Sequence, residues 1–179
     1  MESDPDPIHI ARELDRQDEF DSVMAWLGKM VSACNELELN FQRFLVYLLH
    51  CQEIESAIIV SRERRSFQAM VDLIEELFAV HVHEESAREE LKTVGKLAKK
   101  LYDERNKHVH SIWFMPLDKT TAAERLKNIK NAGPVGVEAS ELSTLADNFD
   151  RCSQKLAALI DRYFDSRKPL EPPETEKLL

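Results

Sequence analysis

Arg105-Asn106-Lys107-His108-Val109-His110 puts a permanent cation, a side-chain amide and an imidazole within one and a half helical turns. Such a group can grip a phosphodiester and move protons on and off it. Attack of a ribose 2′-hydroxyl on the neighbouring phosphate needs a base to take the hydroxyl proton and a positive group to hold the phosphorane's charge. Histidine titrates near neutral pH and serves as base or acid. Arginine offers a planar fork to phosphate oxygens and keeps its charge at all relevant pH. An amide between them can orient the imidazole or donate to phosphate.

Residues on an α-helix turn by about 100° each, so Asn106 and His110 form an i, i+4 pair with Arg105 beside Asn106. The trio Arg105, Asn106 and His110 is expected on one broad face, half sheltered at the end of a packed stripe, with Lys107 and His108 pointing away. Gly95 and Ala98 precede it, and their small size would let another helix approach closely. Lys99, Tyr102 and Trp113 are the neighbouring candidates for holding substrate, with Trp113 and Phe114 able to stack on a base.

The elements that must carry these residues are almost all helical. Asp6-Pro7 is a helix start signal, followed by a short helix from about Ile8 to Gln17. A long helix is expected from about Asp18 to Cys51, because Val23, Leu27, Met30, Cys34, Leu37, Phe41, Phe44 and Leu48 alternate at spacings of four and three. Ser56–Val60 reads as a short helix or an extended connection. Phe67, Met70, Val71, Ile74, Leu77 and Phe78 predict a helix from near Ser66, and Leu91, Val94, Leu97, Ala98, Leu101 and Tyr102 predict another from Glu84-Glu85 to His110. Residues 112–137 form an irregular excursion, with a short β-hairpin or a small helix near Ala122–Ile129. Ser140-Glu141 opens the last helix, with Leu142, Leu145, Phe149, Cys152, Leu156, Leu159 and Phe164 on its apolar face. The expected fold is all-α, an up-and-down bundle of four to five long helices with the excursion before the last. Residues 8–165 would form one domain, between a disordered N-terminus (1–7) and a disordered proline-rich tail (166–179).

Composition narrows the function classes. Among 179 residues the net charge is −9 and only four are glycine. Strong negative charge argues against non-specific coating of nucleic acid, although a small basic site on an acidic body is compatible with it. Cys34, Cys51 and Cys152 are odd in number and widely spaced, so no disulfide framework or zinc ribbon follows. The acidic N-terminus is unlike a signal peptide, and the longest apolar run, Phe44–Leu49, is too short to span a bilayer. A cytoplasmic protein without membrane contact is expected. No glycine-rich phosphate loop, G-x-S-x-G elbow or H-E-x-x-H pair is present.

The segment Tyr102–Ser111 resembles the signature of the HEPN superfamily (higher eukaryotes and prokaryotes nucleotide-binding domains): an arginine, a polar residue, three further residues and a histidine, filled here by Arg105, Asn106 and His110. The helical layout over residues 18–165 is similar as well. The resemblance implies an all-α homodimer whose two motifs meet in a composite cleft and cleave RNA without metal or other cofactor. The products would carry a cyclic phosphate and a 5′-hydroxyl. It further implies a toxin or phage-defence role with an antitoxin protein as partner. Many members carry an acidic residue facing the motif from an earlier helix, and Glu38, four residues from Cys34 and three from Phe41, is the candidate. In that scheme His110 moves the proton, Arg105 stabilises phosphate, Asn106 positions one of them and Glu38 orients Arg105 or His110. Some members are instead non-catalytic modules that bind a nucleotide or a protein.

Two weaker patterns stand beside this one. His81-x-His83 could supply metal ligands, but alternate residues on a helix point apart, so chelation would need extended backbone. Ser61-Arg62-Glu63-Arg64-Arg65 is a compact basic stretch, either phosphate-holding or a solvated loop.

Overall fold

Pro7 occupies the first position of a 42-residue helix, α1 (Pro7–Leu48), where its missing N–H has no helical acceptor to forgo. The computed structural model describes residues 7–49, 66–115, 123–126 and 135–163. After α1 come α2 (Phe67–His81), α3 (Glu85–Val109), the strands β1 (Ile112–Phe114), β2 (Ala123–Leu126) and β3 (Val135–Val137), and α4 (Ala139–Tyr163). The described residues are thus mostly helical, with a short strand excursion before the last helix. Ser56–Val60, the basic stretch 61–65, the segment before Pro7 and the tail from residue 164 lie outside the described residues.

Where the sequence suggests a break near Gln17, α1 runs on without one. Neither glycine nor proline interrupts this stretch, and Gln17 Nε2 donates to Asp21 Oδ1 at 2.8 Å across it, an i, i+4 pair that favours a continuous helix. The four-three seam of α1 is buried at every position except Leu27, which is half-buried.

Contacts group the elements into two compact units, Met1–Asn35 with Lys100–Asp150 and Glu36–Lys99 with Arg151–Leu179. In the second, Phe41 meets Phe67 edge-on with centroids 5.4 Å apart, and Phe78 packs edge-on against both Phe44 and Tyr163, each at 5.8 Å. Ser66 caps α2 by accepting from Ala69 N at 3.2 Å. At the other end Arg88 donates to the carbonyls of Val82 and Ala79 at 2.7 and 3.0 Å, satisfying groups that the helix cannot. Cys152 is buried against Val94, its Sγ donating to Val94 O at 3.7 Å; burial pushes the thiol up to about 11, so it packs as a small apolar group.

In the first unit Val23, Met30, Cys34, Leu101, Leu142, Ala146 and Phe149 are buried together with Ala123 and Val137 of the strands. The strands form an antiparallel sheet in the order β1-β2-β3, with Trp113 opposite Arg125 and Arg125 opposite Val135. These three residues make one cross-strand row on the same face as the buried Ala123–Val137 pair. Of the two conformations that the sequence allows near residues 122–129, Ala123–Leu126 adopts the strand.

Two helical glycines have opposite surroundings. A Cβ at exposed Gly28 would meet nothing within 4 Å. At Gly95 it would overlap Glu75 Oε1 and come within 2.8 Å of Val71 Cγ1, on a valine that is fully buried. Gly28→Ala should therefore stabilise by about 1 kcal/mol through helix propensity. Gly95→Ala should cost about 1–3 kcal/mol through overpacking, enough to reverse that gain. Urea midpoints of the two variants check this, and a stabilised Gly95→Ala protein would disprove the close approach of α2 and α3 at Gly95.

Candidate functional site

The buried stripe of α3 runs through Ala87, Leu91, Val94, Ala98 and Leu101 at spacings of four and three. The next two positions of that rhythm are Arg105 and His108. Arg105 is half-buried and His108 only 7% exposed, so the core-facing stripe continues in polar side chains.

Asn106 holds the guanidinium: Arg105 Nη1 donates to Asn106 Oδ1 at 3.0 Å. The guanidinium also lies over the Tyr102 ring, 5.6 Å from its centroid. Among the described residues no carboxylate forms an ion pair with Arg105, and its Nε is buried with no hydrogen-bond partner. Lys107 is spent on Glu104 at 2.6 Å, which holds that carboxyl below its ordinary range.

The two histidines differ from expectation. His110 lies one residue beyond the end of α3 and is exposed, its backbone N donating to Asn106 O at 3.2 Å. Five residues separate it from Arg105, a rotation of about 140°, so the two side chains leave the helix on different sides. His108, at about 60° from Arg105, is the imidazole that shares the arginine's side. It stacks on Trp113 with centroids 6.1 Å apart and planes at 23°, and its Nδ1 is buried without a partner. Burial lowers its pKa from 6.5 to about 4, with the charges of Arg125 and then Lys107 acting in the same direction and Glu104 opposing them. His108 is neutral at pH 7.

Three side chains close the end of α3. Trp113 Nε1 donates to His108 O at 2.9 Å, Arg125 Nη1 to Lys107 O at 3.1 Å, and Ser111 Oγ also to Lys107 O. These carbonyls have no acceptor role left within the helix, and a cation beside them suits the negative end of the helix dipole.

The other candidates are placed as follows. Tyr102 and Trp113 belong to the motif's surroundings, as Arg105's ring contact and as the stacking partner of His108. Glu38 is half-buried on α1 in the second unit and makes no hydrogen bond or ion pair with another described residue. Lys99, also in that unit, is engaged by Asp72 and Glu75. His81 Nε2 donates to Leu48 O at 3.1 Å and His83 Nδ1 faces Arg88 at 3.4 Å; among the described residues no cluster of three or more His, Cys, Asp or Glu is arranged to hold a metal ion. Nor is any described helix long and apolar enough to cross a membrane. His108 was signalled by the continuing four-three spacing, whereas nothing in the sequence marks Arg125.

Comparison of the chain with protein-family models, with curated proteins and with solved structures finds no match. The chemistry therefore rests on the geometry: a fixed guanidinium with no ion-pair partner among the described residues, a neutral buried imidazole beside it and an exposed imidazole one turn on.

The depressed pKa of His108 has a measurable consequence. Its folded value of about 4 lies below the unfolded value near 6.5, so its contribution is complete above pH 6.5 and lost as pH falls towards 4, where the unfolded chain binds the proton that the fold excludes. That loss amounts to about 3 kcal/mol at most. Urea unfolding between pH 7 and pH 4.5 should show a shallower decline for His108→Phe than for the wild type. Equal slopes would mean that His108 is not held neutral.

Proposed function

We propose that this chain is a HEPN-like, metal-independent endoribonuclease acting as a toxin or phage-defence component. The observation that carries this reading is the Arg105 guanidinium, fixed by Asn106 and unpaired with any described carboxylate in a chain of net charge −9. An arginine kept without an acidic partner in such a chain is available to an external anion.

In this mechanism His110 takes the proton of the ribose 2′-hydroxyl, and the oxygen attacks the adjacent phosphorus. Arg105 donates to the non-bridging oxygens as their charge grows. The 5′-oxygen leaves with the proton that His110 had taken, giving a 2′,3′-cyclic phosphate and a 5′-hydroxyl. Asn106 sets the guanidinium rather than the imidazole, because its Oδ1 accepts from Arg105. Since Arg105 and His110 leave α3 on different sides, the site is completed by a second copy of the chain, with the arginine of one copy and the histidine of the other on one phosphate. The same divergence favours one alternative, a non-catalytic module that binds a nucleotide or protein through Arg105.

RNA incubated with the purified protein in EDTA should be cut to cyclic-phosphate ends, with Arg105→Ala and His110→Ala each losing at least about 100-fold. Mixing the two inactive variants should restore part of the activity, since one of the two composite sites regains both residues. Binding without cleavage by the wild type would favour the non-catalytic module and overturn the ribonuclease reading. Cleavage abolished by EDTA would overturn the metal-independent mechanism.

A further inference from the structure

Arg125 has the same unusual status as Arg105. It is half-buried on β2, and among the described residues no carboxylate forms an ion pair with it. Its Nη1 is spent on Lys107 O at 3.1 Å, while its Nε is buried with no acceptor. Beside it His108, more than nine-tenths buried, also has an unpartnered nitrogen, Nδ1.

Capping a helix end needs one donor, which lysine or glutamine supplies equally well. An arginine used that way keeps a further nitrogen, Nη2, and its full positive charge, which an oxygen of a phosphate can meet. Arg125 lies between its cross-strand neighbours, Trp113 on β1 and Val135 on β3, and is held by the helix carbonyl. Its position is set before any ligand arrives, which reduces the ordering cost of binding.

We propose that Arg125 is a second phosphate-binding residue, giving the end of α3 an oxyanion site in addition to the motif arginine. This role rests on the phosphate-handling reading of the α3 end and extends it to a residue outside the motif. Its ligand is the phosphodiester of single-stranded RNA.

The test uses the full chain at pH 7 and the indole N–H resonance of Trp113, whose Nε1 bonds to the same helix end. Inorganic phosphate should shift this signal saturably. Arg125→Gln keeps a donor for Lys107 O, and its fold is checked by its thermal midpoint; it should bind phosphate about 10- to 100-fold more weakly. A 2′-O-methyl RNA, which cannot be cut by 2′-hydroxyl attack, should bind more tightly than a nucleoside monophosphate and show the same Arg125 dependence. Equal affinity for the monophosphate and the RNA would overturn the polymer as ligand. A wild type that does not respond to phosphate, or a folded Arg125→Gln protein that binds like the wild type, would reduce Arg125 to a helix cap and overturn the proposal. Phosphate binding through Arg125 without any RNA cleavage would uphold the oxyanion site while the ribonuclease reading falls. Cleavage with an Arg125→Gln KM equal to that of the wild type would uphold the ribonuclease and overturn Arg125.

Discussion

The end of α3 is where polar groups occupy positions that the helix's own periodicity assigns to the core. Leu101 is the last apolar residue of the stripe, and Arg105 and His108 follow in its rhythm. Placing a guanidinium and an imidazole there costs stability, because each has a buried nitrogen with no hydrogen-bond partner. The surroundings offset part of that cost with the Tyr102 ring, the Asn106 amide and the Trp113 ring. An apolar pair at these positions would be the more stable choice, and strain of this kind is most often retained where a protein acts.

The same few residues join the strands to the helix. Trp113 and Arg125 sit opposite each other on β1 and β2, and both donate to carbonyls in the last turn of α3. The sheet is very short, with strands of three, four and three residues, too short to be stable alone. Its hydrogen bonds to the helix end, together with the buried Ala123–Val137 pair, give it an anchor. In return the helix end has its carbonyls satisfied.

Charge is distributed unevenly around this point. Arg88, Lys92, Lys99, Lys107 and Arg162 each face a carboxylate, Lys92 and Arg162 at exposed positions where such pairs add little stability. Arg105 and Arg125 have no such partner among the described residues. After burial, the charges of Arg125 and Lys107 help to keep His108 neutral. The two imidazoles two residues apart thereby acquire different chemistry, His108 as a packed neutral ring and His110 as a group open to solvent and ligand.

Helix content, the positions of α2, α3 and α4 and the apolar seams were legible in the amino-acid order, because a stripe repeating every three to four residues has only one backbone that buries it. The Arg105–Asn106 pair could be singled out in the same way, since adjacent polar types on a helix end are visible without coordinates. Burial of His108 was encoded too, in the spacing from Ala98 through Leu101 and Arg105, but the histidine's polar type concealed it. Only the tertiary structure decided that Gln17 lies inside one continuous helix, that residues 123–126 form a strand, and that Arg125 reaches the carbonyl of Lys107. The last two outcomes depend on contacts between residues far apart in the chain, such as the 18-residue separation of Lys107 and Arg125, and no local periodicity records them. The motif's residue types were set by the sequence; which imidazole is neutral, and which second arginine stands beside it, was set by what folds against the end of α3.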